Sequence, residues 1–106
     1  MFEFIPLSLA WIEQRNAENW VIQNWELVEI LKEASRTVVE VFRFLRKHGY
    51  NTSSGIRKAL RNGEAYGVVR RTEKYPVQHV KIEVTDFGLE LYKMMLLGGI
   101  IEQGMG

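Results

Sequence analysis

Residues 37–63 read TVVEVFRFLRKHGYNTSSGIRKALRNG, and the fold turns on this stretch. Thr37-Val38-Val39-Glu40 has the form of a capping box, in which the threonine oxygen takes the amide three residues on and the glutamate returns to the threonine amide. Val38, Val41, Phe42 and Leu45 then fall at i, i+3, i+4 and i+7, one buried stripe of a helix over about 37–48. Gly49 suits the position just past a helix end, where the backbone turns left-handed. Tyr50-Asn51 makes a short turn, and Thr52-Ser53-Ser54 is a run of residues able to cap the next helix. That helix is expected over about 52–62, with Ile56, Ala59 and Leu60 on its apolar side. Gly63 is expected to end or loosen it, and Gly55 in its first turn costs about 1 kcal/mol relative to alanine.

On the C-terminal side the period changes. Gly67-Val68-Val69-Arg70-Arg71-Thr72 is β-prone, and Val80-Lys81-Ile82-Glu83-Val84 alternates apolar and polar with period two. Residues 73–78 contain Tyr75-Pro76 and make the loop of a hairpin. A last helix runs from Thr85 or Asp86 to about Leu97 and stops at Gly98-Gly99, with an apolar tail at Ile100-Ile101. On the N-terminal side, residues 17–34 carry a helical pattern through Val21, Trp25, Val28 and Leu31. Residues 1–15 form an apolar, aromatic extension in which Pro6 fits the first turn of a short helix. The reading is α+β, mainly α: one domain over 1–106, with a three-helix core and hairpin over 20–84 and a terminal helix and tail over 85–101.

Charge is segregated along the chain. Between Arg36 and Lys81 eleven Lys/Arg stand against three acids, while the whole chain carries only +1. Binding responds to the local field and not to the sum, so the imbalance points to a polyanionic partner. The chain has no cysteine, which removes disulfides, thiolate metal sites and cysteine nucleophiles. His48 and His79 are far apart in sequence and make no metal site. No nucleophile with an activating base is suggested, so an enzyme and a bound cofactor are both unexpected. The N-terminus has neither a basic leader nor an unbroken apolar run, so a signal peptide and a membrane span are not expected, and the cytoplasm is the expected compartment.

Two motifs carry a family likeness. Leu60 followed by Gly67-Val68-Val69-Arg70-Arg71 resembles the link from a recognition helix into the first strand of a wing. Val84-Thr85-Asp86-Phe87-Gly88-Leu89-Glu90-Leu91-Tyr92 is similar to the run that closes the wing and opens a last helix in transcriptional regulators of the MarR and PadR kind. Over about residues 20–95 the chain therefore resembles the winged helix-turn-helix family of prokaryotes and archaea. A second leucine common in relatives is Gly63 here, which predicts an early end to the reading helix.

The resemblance implies a homodimer bound to double-stranded DNA. Ser53, Ser54, Arg57, Lys58, Arg61 and Asn62 would lie on the recognition helix in the major groove, with Arg57 able to fork onto a guanine. Arg70, Arg71, Lys74, His79 and Lys81 would serve the wing, and Arg43, Arg46 and Lys47 would flank as phosphate contacts. Phe87, Leu91, Met94 and Met95 of the last helix, with Trp11, are the candidates for dimerisation. The alternative is a winged helix used only for protein–protein contact, with its apolar termini as partner surfaces.

Overall fold

The computed structural model describes residues 7–72 and 80–100, with the backbone alone for 7–12. Lys74 and His79, the loop that holds them, and the Trp11 side chain lie outside the described residues. Mainly helical α+β architecture is observed, in the order α1 (Leu7–Gln23), α2 (Trp25–Glu33), β1 (Arg36–Thr37), α3 (Val38–Lys47), α4 (Ser53–Ala65), β2 (Val69–Arg71), β3 (Lys81–Val84), α5 (Asp86–Leu97). The strands form one antiparallel sheet in the order β1-β3-β2.

The N-terminal half departs from the expected short helix plus an unbroken helix over 17–34. One helix runs from Leu7 to Gln23, and the break falls at Asn24. Asn24 is 4% exposed. Its amide donates to the Trp20 carbonyl at 3.0 Å, and its Oδ1 accepts from the Tyr50 hydroxyl at 2.9 Å. A short amide side chain that bonds nearby backbone competes with the helix ladder. Here the buried polar group is satisfied on both sides, so the break is tied to the turn between α3 and α4.

The two central helices begin as expected. Thr37 Oγ1 accepts from the Glu40 amide at 3.2 Å, and Glu40 Oε1 accepts from the Thr37 amide at 3.0 Å and its hydroxyl at 2.9 Å. Past α3, the Tyr50 amide reaches back to the Leu45 carbonyl at 3.0 Å, a 6→1 bond that closes the helix end, with Gly49 at φ 144°. Thr52 caps α4 by accepting from the Gly55 amide at 3.1 Å. The space beside Gly55 is filled by Thr52 Oγ1 and the Tyr50 ring, so its small size serves the turn itself.

α4 does not stop at Gly63. It continues to Ala65, and Gly63 is buried beneath the Trp20 ring, where a Cβ would lie 2.7 and 2.9 Å from Cζ2 and Cε2. Trp20 Nε1 donates to the Ala59 carbonyl at 2.8 Å. Glycine is therefore a slot for the indole and not a stop signal; tertiary packing overrides the local helix cost.

The core joins every helix to the sheet through Val21, Leu27, Val28, Val41, Leu45, Ile56, Leu60, Val68, Ile82 and Tyr92. Tyr92 is fully buried and its hydroxyl donates to the Glu29 carboxylate, which fastens α5 to α2. Leu91 and Met95 belong to this core at 3% and 5% exposure. They are thereby withdrawn from the expected dimerisation set: the α5 face carrying them is consumed within one copy of the chain. Phe87 and Met94 lie on the exposed side with Leu97 and Ile100. Among the described residues no helix is long and apolar enough to cross a membrane.

Candidate nucleic-acid interface

α4 is two-sided. Ile56, Ala59, Leu60 and Gly63 are buried, while Ser54, Arg57, Lys58 and Arg61 are exposed and Ser53 is half-buried. At about 100° per residue, positions 53, 54, 57, 58 and 61 span roughly 140° of arc facing away from the core. Asn62 falls at the edge of that arc and is half-buried. Five of the six expected recognition-helix residues thus share one open face.

That face gains two cations from elsewhere. Arg46 of α3 donates from Nη2 to Ser53 Oγ at 2.7 Å, which sets its guanidinium at the start of α4. Arg71 of β2 joins Arg57 and Arg61 around a concavity of about 250 Å³, with Val38, Phe42 and Leu60 completing its walls. Arg57, Arg61 and Arg71 therefore meet the apolar Val38, Phe42 and Leu60 at one concavity, at the seam of α3, α4 and β2. Arg71 Nε also donates to Glu64 at 2.8 Å, with the side chains 54% and 32% exposed. An ion pair this open is worth about 0–1 kcal/mol, so it aims Arg71 at the seam without withholding its charge from a phosphate.

The other cations expected on a wing do not join. Strand side chains alternate between faces, and Arg71 shares the inner face with Val69, while Arg70 lies opposite Glu83 across β2 and β3. Arg70 Nε donates to Glu83 at 2.7 Å, and Lys81 projects with Glu83 on that same outer face. The cations of β2 and β3 are thus split by the period of the strand. The flanking set is split too: Arg46 turns toward α4, whereas Arg43 and Lys47 line a different cleft, with Arg36, on the α2 side of α3. His48 ends α3, stacks on Phe44 at 4.2 Å and meets Glu26 at 3.2 Å.

No family model, curated protein or solved structure matches the chain. Among the described residues no three metal-binding side chains cluster. Sequence reasoning did not find Glu64 or Glu83 as partners of the wing arginines, nor Val38 and Phe42 as the floor between the cations. The apolar stripe of α3 was legible, but not that its outer edge would line a charged seam.

Proposed function

We propose that the chain is a winged helix-turn-helix protein that binds double-stranded DNA as a homodimer. In this reading α3 and α4 form the helix-turn-helix, α4 enters the major groove, and β2 and β3 with their connecting loop form the wing. The observation that carries it is the convergence of Arg57 and Arg61 from α4 with Arg71 from β2 on one seam, beside the exposed row Ser53, Ser54 and Lys58. A helix whose back is buried and whose front carries hydroxyls and forked cations offers base edges the donors they recognise. Arg57 is assigned to a guanine edge, and Lys58, Arg61, Arg46 and Arg71 to phosphates. Arg70 and Lys81 have no part in this reading, because they lie on the outer face of the sheet, away from the seam.

The dimer contact is assigned to Phe87, Met94, Leu97 and Ile100, whose exposures run from 41% to 90%. Those side chains also favour a second reading, a protein–protein module in which the basic face meets an acidic partner. Fluorescence anisotropy on random and selected duplexes separates the two. With six to ten phosphate contacts per dimer, affinity should fall about 10³–10⁵-fold between 50 and 200 mM salt. Palindromic sequences enriched from a random pool would support dimeric DNA reading. A flat salt response, or no enrichment, would overturn it in favour of the partner-binding module.

A further inference from the structure

The sheet carries a transverse row of which the DNA reading uses only one end. Arg36 of β1 and Arg71 of β2 both lie opposite Ile82 of the central strand. Ile82 is fully buried, and the two arginines stand at opposite ends of the row. Arg71 lines the seam with Val38 and Phe42. Arg36 lines a separate cleft of about 330 Å³ with Ile30 of α2 and Glu40, Arg43, Phe44 and Lys47 of α3. Phe42 and Phe44 are about 200° apart around α3, so the helix itself divides the two depressions.

The second cleft has an excess of cation that forms no ion pair among the described residues. Its acid, Glu40, is engaged by the Thr37 amide and hydroxyl. Arg36, Arg43 and Lys47 have no carboxylate within 4.0 Å among the described residues. Arg36 Nε is buried and has no hydrogen-bond partner among the described residues. A buried donor is destabilising until an acceptor is supplied. The apolar walls are Ile30 and Phe44, and the Phe44 ring is steadied by His48 stacked on it, itself held by Glu26.

We propose that this α2–α3 cleft binds a small organic dianion with a flat apolar body, independently of the α4 face. Three cations against one acid leave a net lining charge of +2, which matches two negative charges. Ile30 and Phe44 take the apolar body, and the forks of Arg36 and Arg43 suit an oxyanion head. The volume lies at the small end of ligand sites, about 300–1,000 Å³.

The test is an NMR titration of the full chain with phenyl phosphate, against inorganic phosphate and phenol, without DNA. Saturable shifts are expected at Ile30, Arg36 and Phe44, with affinity at least about tenfold above either control. Arg43→Ala and Lys47→Ala should each weaken phenyl phosphate about tenfold or more, as loss of a charge-assisted contact does. Both side chains are exposed, so unchanged melting curves will show that the variants fold. Arg36→Lys keeps the charge but removes the buried Nε donor, and should weaken binding as well. Equal affinity for inorganic phosphate, equal affinity for phenol, shifts centred on Arg57 and Arg61, or no saturation would each overturn the proposal.

Discussion

Replacing Gly63 by alanine tests how α4 is held in place. On helix propensity alone the change should stabilise by about 1 kcal/mol. The added Cβ, however, would stand 2.7 and 2.9 Å from Trp20 Cζ2 and Cε2 and 3.0 Å from Val69 Cγ2. The indole has little freedom to retreat, because it is 4% exposed and tied to the Ala59 carbonyl. Forced overpacking costs about 1–3 kcal/mol, so the net effect of Gly63→Ala is a loss of about 0–2 kcal/mol. The decisive measurement is a double-mutant cycle by urea unfolding with Trp20→Leu, which removes both crowding ring atoms. In that background Gly63→Ala should recover its propensity gain of up to about 1 kcal/mol, giving a coupling of roughly 2 kcal/mol, within the range for residues in contact. If Gly63→Ala stabilises the parent, or acts equally in both backgrounds, then the indole does not fix this helix.

Three further outcomes follow from the geometry. Gly88→Ala should destabilise toward the upper end of about 1–3 kcal/mol, since a Cβ would meet the Val68 carbonyl oxygen at 2.4 Å; unlike an exposed side chain, that backbone cannot swing aside, and a thermal melt unchanged from the parent would contradict it. The Thr37 amide and then its hydroxyl hold the Glu40 carboxyl below its ordinary range, with smaller help from Arg36 and Lys81. The folded chain therefore gives up this proton more readily than the unfolded one: the stability it adds is complete above the ordinary glutamate pKa of about 4.3 and is lost as pH falls through the lowered value. Urea midpoints of the parent and Glu40→Gln should accordingly converge on acidification, and a gap that widens would be inconsistent. On the proposed DNA reading, Arg57→Ala should weaken duplex binding by about 1–3 kcal/mol, and Arg61→Ala should weaken it on all sequences alike and lower the salt slope by about 1; Arg70→Ala should change anisotropy titrations far less, because it lies on the opposite face of β2 from Arg71.

Where the sequence was legible, the cause was local. The Thr37–Glu40 box, the Gly49 closure and the Thr85 start of α5 are each set within a few residues, and each stands as expected. The misreadings trace to distant partners. Asn24 breaks the first helix where Tyr50, 26 positions on, donates its hydroxyl to the Asn24 Oδ1. Gly63 reads as a stop until Trp20 is laid across it. β1 pairs through two residues, too few to show an alternation. α5 is apolar on more than one side, so period alone could not tell Leu91 and Met95, which face inward, from Phe87 and Met94, which do not. The same holds for charge: the surplus between Arg36 and Lys81 is plain in the sequence, but its division among three surfaces depends on which side of a strand or helix each cation takes.

The strand order β1-β3-β2 also bears on how the chain acquires its structure. The central strand is the last of the three to be synthesised, so neither β1 nor β2 has a partner until Ile82 and its neighbours arrive. Arg36 must wait for a residue 46 positions downstream, a closure whose entropy is spent before any pairing rewards it. The α3–α4 pair, by contrast, is built from near neighbours and is free to condense early. During synthesis the chain would carry a preformed helical hairpin between two unsatisfied strand edges, and a truncation before Lys81 would strand it in that state, open to edge-to-edge association.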